Sequence, residues 1–107
     1  MTLTDNKYII EKVKDIVHRY DAFAKVIFFG SRARGDYHEE SDYDFLVLSD
    51  WKNIEDLKDK LRIDILEEIE WKTFEVIQTM VVNKNVWEDD YKVRGIYESI
   101  KEDGIAV

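Results

Sequence analysis

The sequence predicts a mixed α/β (α+β) fold in which a sheet of three to four strands is backed by helices, in the order α-β-α-β-α-β-α. This prediction rests on two segments with amphipathic helical periodicity, two short apolar segments joined by a glycine turn, and a third β-rich segment. No repeat, low-complexity tract or proline interrupts the chain. We therefore expect residues 1–107 to form a single domain.

The first helix is predicted over about residues 5–20, with Thr4 or Asp5 as its N-cap. Its apolar residues recur at intervals of three and four: Ile9, Ile10, Val13, Ile16, Val17 and Tyr20. The segment Lys25–Phe29 is β-branched and aromatic and ends at Gly30. This pattern indicates a buried strand that runs into a tight turn.

The second strand is predicted over about residues 43–48. It is apolar on both faces except at its beginning, where Asp42 and Asp44 share one face. Residues 53–70 are predicted to be helical because an apolar stripe runs through Ile54, Leu57, Leu61 and Ile65.

The third strand is predicted over about residues 74–82, with Glu75 as its one ionisable residue. A short helix is then predicted from Val93 to Ile100. Asp103, Gly104 and Ile105 fit a Schellman stop in which Ile105 packs back on Ile100.

The composition excludes several classes of function. The chain has 16 basic and 24 acidic residues, a net charge of −8, so we expect no direct DNA binding. It contains no cysteine, which excludes disulfides and thiol nucleophiles and favours the cytoplasm. Its longest apolar runs, such as Val26 to Phe29, are too short to span a membrane. A chain of 107 residues builds one core without a separate acceptor domain, so a large second substrate requires a partner. The sequence leaves open whether the chain forms a homo-oligomer.

The turn after the first strand has the residues of a phosphate site. Gly30 lets the backbone approach a ligand, and Ser31 is positioned to cap a helical turn over residues 32–34 whose N–H groups point outward. Arg32 and Arg34 add planar donors. A Gly-Ser pair is also typical of an ordinary turn, so both interpretations stay open at this point.

Two aspartates at the beginning of the second strand suggest a metal site. Asp42 and Asp44 leave the same face about 6.6–7 Å apart, so both can reach one divalent ion, and their repulsion raises their pKa values. The alternative is a solvated acidic loop, which also explains Asp36, Glu39, Glu40 and Asp50.

Glu75 supplies a third carboxylate if the third strand lies beside the second. Its alternative is an edge-strand residue that faces water. Asp64 competes for the same role, but it lies within a predicted helix and is expected to face solvent.

The combined pattern resembles a known superfamily. Gly30-Ser31, ten intervening residues and Asp42-x-Asp44 are similar to the signature of the DNA polymerase β superfamily of nucleotidyltransferases. The finer pattern, Gly-Ser-x-Ala-Arg-Gly followed by Ser41-Asp-x-Asp, resembles its minimal nucleotidyltransferase branch, whose members are often antitoxins paired with HEPN toxins. The close match covers about residues 25–50.

This resemblance implies a polymerase β-like fold and a role for each motif residue. Nucleotide binding, to ATP or another nucleoside triphosphate, falls to Gly30, Ser31, Arg34 and Ser41. Catalysis and Mg²⁺ binding fall to Asp42, Asp44 and Glu75. Glu75 matches the position of the third carboxylate, which assists deprotonation of the attacking hydroxyl, but the usual residue there is aspartate. The longer side chain puts turnover in question, because metal catalysis is sensitive to displacements of about 1 Å.

The resemblance further implies transfer of AMP from ATP to a tyrosine of a helical HEPN-type toxin. The alternative is an antitoxin of the same fold that neutralises its partner by binding alone. Trp51, Trp71 or Trp87 could anchor the partner, although each is more commonly a packing residue.

Overall fold

A four-stranded mixed sheet forms the centre of the computed structural model, which describes residues 6–36, 38, 41–89 and 94–107. The strands are β1 (Lys25–Phe29), β2 (Tyr43–Ser49), β3 (Ile77–Asn83) and β4 (Ile105–Ala106). Their spatial order is β3-β2-β1-β4; β1 pairs antiparallel with β2 and β4, while β2 pairs parallel with β3. The predicted mixed fold is confirmed.

The helices agree with the amphipathic pattern of the sequence. They are α1 (Asn6–Tyr20), α2 (Ser31–Arg34), α3 (Ile54–Ile65), a π-helical turn (Leu66–Glu70), α4 (Trp71–Thr73), α5 (Lys84–Asp89) and α6 (Arg94–Asp103). The predicted apolar stripe of α3 is buried at Leu57, Leu61 and Ile65. Asn53 caps this helix by accepting a hydrogen bond from the Asp56 N–H at 3.2 Å. Within the described residues, no helix combines the length and apolarity needed to cross a bilayer.

The sheet separates two clusters of buried side chains. Tyr43, Phe45 and Val47 pack with apolar residues of α1 and α3 on one face. Leu46 and Leu48 pack with Trp87 of α5 and Ile100 of α6 on the other face. Because side chains alternate along a strand, Asp42 and Asp44 belong to the face of α5 and α6, and Tyr43 to the opposite face.

The third strand begins later than the sequence predicts. Phe74 has a left-handed backbone (φ 61°), and the chain enters β3 only at Ile77. The Ile77 N–H donates to a Glu70 carboxylate oxygen at 3.0 Å. A side chain, rather than a neighbouring strand, therefore accepts this hydrogen bond. The placement of Glu75 within the third strand is therefore wrong, because it lies in the segment before the strand.

The C-terminal region differs from the prediction in two elements and one turn. The sequence pattern predicts neither α5 nor β4. Asn83, the last residue of β3, immediately precedes α5, and its side chain accepts from the Asn85 N–H of the first turn at 2.9 Å. The Schellman prediction is wrong: Gly104 is not left-handed, and Ile105 is half-exposed and pairs with β1. Thr4, Asp5, Glu39, Glu40 and Val93, named in the sequence predictions, lie outside the described residues.

Candidate active site

Asp42 and Asp44 stand together where β2 begins. Both are partly buried, and they share the face of the sheet that carries α5 and α6. Burial is the main cause that raises the pKa of Asp44, and the charge of Asp42 raises it further, while Arg34 lowers it. For Asp44, this is the direction that the sequence predicts for paired like charges.

Gly30 brings the backbone of β1 against the Asp44 carboxylate. Phe29 pairs with Asp44 across the two strands, and Gly30 follows with φ of +82°. A Cβ atom built on Gly30 would lie 2.3 Å from Asp44 Oδ2. Gly30 is therefore required both for its backbone conformation and for the room that the carboxylate occupies.

The short helix α2 leaves the Ser31 hydroxyl unused by the fold. Gly30, not Ser31, is the N-cap, and its carbonyl accepts from the Ala33 and Arg34 N–H groups at 3.1 and 3.0 Å. The predicted capping role of Ser31 is therefore wrong. Within the described part of the chain, the Ser31 hydroxyl has no hydrogen-bond partner. It is available to a ligand beside Gly30.

Arg34 and Ser41, the other predicted nucleotide-binding residues, have structural contacts. Arg34 pairs with Asp36 at 3.3 Å and Asp103 at 3.4 Å, which joins α2 to the end of α6. The hydrogen bond to Asp36 is the main cause that raises the Arg34 pKa. Ser41 Oγ accepts from the His38 N–H at 3.0 Å and so closes the loop before β2. Arg34 retains 41% side-chain exposure, so its guanidinium remains accessible to an anion.

Glu75 does not join the aspartates. Its carboxylate accepts from Arg32 Nη2 at 3.2 Å, and the Arg32 guanidinium lies 4.4 Å from the centre of the Tyr43 ring. Since Tyr43 is on the opposite face of the sheet from Asp42 and Asp44, so is this ion pair. Among the described residues, no three His, Cys, Asp or Glu side chains gather in a metal-binding group.

Asp64, the competing candidate, is also engaged elsewhere. Its carboxylate accepts hydrogen bonds from Tyr20 and from Arg19, the latter at 3.1 Å, so it joins α3 to α1. The expectation that it faces solvent is wrong, because its side chain is 19% exposed. The hydrogen bond from Tyr20 is the main cause that raises the pKa of that tyrosine.

Gln78 is a site residue that the sequence pattern did not identify. It is the register partner of Asp44 on the neighbouring parallel strand, and register partners point to the same face. Its Nε2 approaches Asp42 Oδ2 at 3.5 Å, a long hydrogen bond. The sequence signal is the alternation within β3, but it requires the true first residue of that strand.

A shallow cavity of about 240 Å³ adjoins this group at the outer edge of β3. Lys58, Arg62, Val76 and Gln78 contribute to its lining. Gln78 also contacts Asp42, so this residue connects the cavity lining with the carboxylate pair. Its volume is below the roughly 300 Å³ typical of small-ligand pockets, so it does not by itself enclose a nucleotide.

The arrangement combines groups for a cation with groups for an anion. Two carboxylates and an amide oxygen are suitable ligands for a hard divalent ion. The Ser31 hydroxyl and the Arg34 guanidinium, on the helical turn after Gly30, are suitable donors to phosphate oxygens. Such a site can hold a phosphate ester together with its counter-ion.

Comparisons with known proteins agree with this chemistry. Residues 10–107 match the family model described as "Nucleotidyltransferase domain". Two Methanocaldococcus jannaschii proteins, "Putative protein adenylyltransferase MJ0141" and "Putative protein adenylyltransferase MJ0604", are 54% identical over 43 residues and 45% identical over 49 residues. These matches cover 40% and 45% of this chain and 41% and 49% of the relatives, so the similarity spans less than half of each curated protein.

A solved structure is also similar. The crystal structure of a "putative nucleotidyltransferase" from Sulfolobus solfataricus aligns with 92% of this chain and 80% of its own, at a TM-score of 0.44 and 23% identity.

Proposed function

Because this chain belongs to the family of nucleotidyltransferase domains, we propose that it transfers AMP from ATP, with Mg²⁺, to a tyrosine hydroxyl of a helical HEPN-type toxin and so acts as its antitoxin in the cytoplasm. The contact between Gly30 and the Asp44 carboxylate carries the proposal. It sets the Asp42 and Asp44 pair directly beside a turn that offers the Ser31 hydroxyl and the partly exposed Arg34 guanidinium to a phosphate.

The residues of this site have separate tasks in the proposed reaction. Asp42 and Asp44 would hold Mg²⁺, which offsets the negative charge that develops on the phosphates when it is bound. Ser31, the Gly30 backbone and Arg34 would bind the triphosphate and fix its orientation.

Nucleotidyl transfer exchanges one ester bond for another. The acceptor oxygen forms a bond to the α-phosphorus as the bond from that phosphorus to the bridging oxygen breaks. Pyrophosphate leaves with the electron pair, and the hydroxyl proton passes to solvent. The protein accelerates this step by positioning and by electrostatic stabilisation.

A protein acceptor is supported by the names of the two relatives and by exposed aromatic residues. Trp71 and Phe74, which precede β3, are 64% and 90% exposed. Trp87 is buried, and Trp51 packs edge-on against Tyr20. We therefore place the toxin contact at Trp71 and Phe74, and Trp71→Ala should reduce labelling of the partner while ATP binding is retained.

Incubation with ATP labelled at the α-phosphate, Mg²⁺ and a candidate HEPN partner tests the proposal. The partner should acquire the label with wild type and should not with Asp42→Asn or Asp44→Asn. Circular dichroism of each variant controls for folding. A folded Asp44→Asn protein that labels the partner at the wild-type rate would exclude this site as the catalytic centre.

The pairing of Glu75 with Arg32 favours a second candidate function. With its third predicted carboxylate engaged on the other face, the chain would retain the fold and neutralise the toxin by contact alone. This alternative predicts that wild type leaves the toxin unlabelled and still suppresses its toxicity, and that Asp44→Asn suppresses it equally well.

A further inference from the structure

We propose that Gln78 is the third side chain of the metal site and that Glu75 is a structural partner of Arg32. This inference rests on the proposed function, because it concerns the cation that the proposed reaction requires. It reverses the assignment that the sequence pattern suggests for Glu75.

The strand register places Gln78 at the metal site. Adjacent strands lie about 4.8 Å apart, and Gln78 is directly opposite Asp44. Its amide already contacts Asp42, so it adjoins both carboxylates. A glutamine amide has an oxygen that ligates hard cations and an N–H₂ that donates a hydrogen bond to a carboxylate. By rotation of its amide, Gln78 can therefore bond Asp42 in the metal-free protein and ligate the cation in the metal-bound protein.

The Arg32 pair keeps Glu75 away from that site. The side chains of Arg32 and Glu75 are 6% and 15% exposed, and Arg32 Nε also donates to the Ser41 carbonyl at 3.2 Å. If Glu75 moved to the other face, the buried Arg32 guanidinium would lose this carboxylate as a partner. The pair is therefore a fixed part of the fold.

The charge of the site follows from this assignment. Asp42 and Asp44 together carry two negative charges, which balance one divalent ion, and no third acidic side chain of the described residues joins them in a metal-binding group. Gln78 has no titratable proton, so it cannot act as a general base for the acceptor hydroxyl. We infer that the chain holds one cation with its own side chains.

Binding of Mn²⁺ to the full chain, without nucleotide, tests the assignment independently of activity. Electron paramagnetic resonance of free Mn²⁺ gives the Kd for wild type and for two isosteric variants. Gln78→Glu adds a carboxylate at the proposed position and should tighten binding roughly tenfold, because ligand charge sets the affinity of such sites. Glu75→Gln removes the other carboxylate and should leave the Kd within about twofold of wild type, since it does not contact the cation.

The outcomes separate this inference from the proposed function. If Glu75→Gln weakens Mn²⁺ binding as much as Asp44→Asn does, or if Gln78→Glu leaves the Kd unchanged, the assignment of Gln78 is overturned. If Asp42→Asn and Asp44→Asn bind Mn²⁺ like wild type, the metal site of the proposed function fails instead. If Glu75→Gln does not fold, the double variant Arg32→Met/Glu75→Leu, which removes both charges, is used in its place. Its Kd for Mn²⁺ should likewise lie within about twofold of wild type.

Discussion

At the residue scale, Gly30 has a structural role besides the phosphate contact proposed for it. Its missing side chain is the space in which the Asp44 carboxylate lies. The glycine is therefore required by the position of Asp44, and any side chain there must displace Asp44 or the strand.

The variant Gly30→Ala should lower the free energy of unfolding by about 2 kcal/mol, because it combines a disfavoured backbone conformation with a clash. It should also weaken Mn²⁺ binding at least roughly tenfold as Asp44 turns away, since each ligand contributes to affinity. Urea unfolding and Mn²⁺ titration measure the two effects.

Gly35 provides the matched control. It too has a positive φ, +92°, but a Cβ there would meet nothing within 4 Å. Gly35→Ala should lower the free energy of unfolding by about 1 kcal/mol from backbone strain alone and leave Mn²⁺ binding unchanged. Equal effects of the two substitutions on Mn²⁺ binding would show that the Asp44 contact is unimportant.

The variant Asp44→Asn should stabilise the metal-free protein at neutral pH. Folding raises the pKa of Asp44, mainly through burial and then through Asp42, so its ionisation opposes folding. The stability that the protonated form contributes is complete below the unfolded pKa and is lost as pH rises through the folded pKa.

Unfolding in urea across this pH range measures the Asp44 effect. At pH 7 the free energy of unfolding of Asp44→Asn should exceed that of wild type by about 1 kcal/mol or less, since Asp44 is partly solvated. The difference between variant and wild type should shrink at low pH. A variant less stable than wild type at pH 7 would contradict the argument.

At the scale of elements, the late beginning of β3 determines which side chains face the site. Phe74 ends α4 in a left-handed conformation that favours glycine, and its N–H donates to the Glu70 carbonyl at 2.9 Å. This turn, with Glu70 bound to the Ile77 N–H, sets the strand in the register that pairs Gln78 with Asp44.

The variant Phe74→Gly should raise the free energy of unfolding by about 1 kcal/mol, because a left-handed conformation costs a non-glycine residue about that much. Little burial is lost, since Phe74 is 90% exposed. Phe23 is the control: it is 85% exposed without a positive φ, so Phe23→Gly should not stabilise the protein. Thermal unfolding of both variants decides whether the backbone of Phe74 is strained.

At the scale of the whole molecule, the net charge of −8 opposes compaction. The described ion pairs are mostly at the surface; Arg19 and Glu68, for example, retain 46% and 29% side-chain exposure. Such pairs contribute at most about 1 kcal/mol each. Screening by salt should therefore weaken the repulsion among the excess negative charges more than it weakens the attraction within the ion pairs.

Raising NaCl from about 50 to 500 mM should accordingly stabilise the protein by about 1 kcal/mol, or roughly 4 °C in Tm. Differential scanning calorimetry measures the shift, and a parallel series with KCl shows that it is due to ionic strength. A Tm that falls with salt would mean that the ion pairs outweigh the net repulsion.

The sequence by itself determined α1, β1, β2, α3 and the pair Asp42 and Asp44, but not α5, β4 or the first residue of β3. Apolar periodicity is local, so the bounds of α1 and β1 and the buried stripe of α3 could be predicted from neighbouring residues. The alternation of β2 likewise placed both aspartates on one face. The glycine turn and the carboxylate pair were therefore identifiable from local sequence patterns alone.

Only the tertiary structure decided which third side chain accompanies that pair. Glu75 and Gln78 are three residues apart in the chain, but only Gln78 lies within β3, opposite Asp44, whereas Glu75 precedes the strand and pairs with Arg32. That position depends on the left-handed Phe74, on Glu70 and on the buried partner Arg32, which lies 43 residues away in sequence. Contacts between distant residues set the register, and no local pattern contains them.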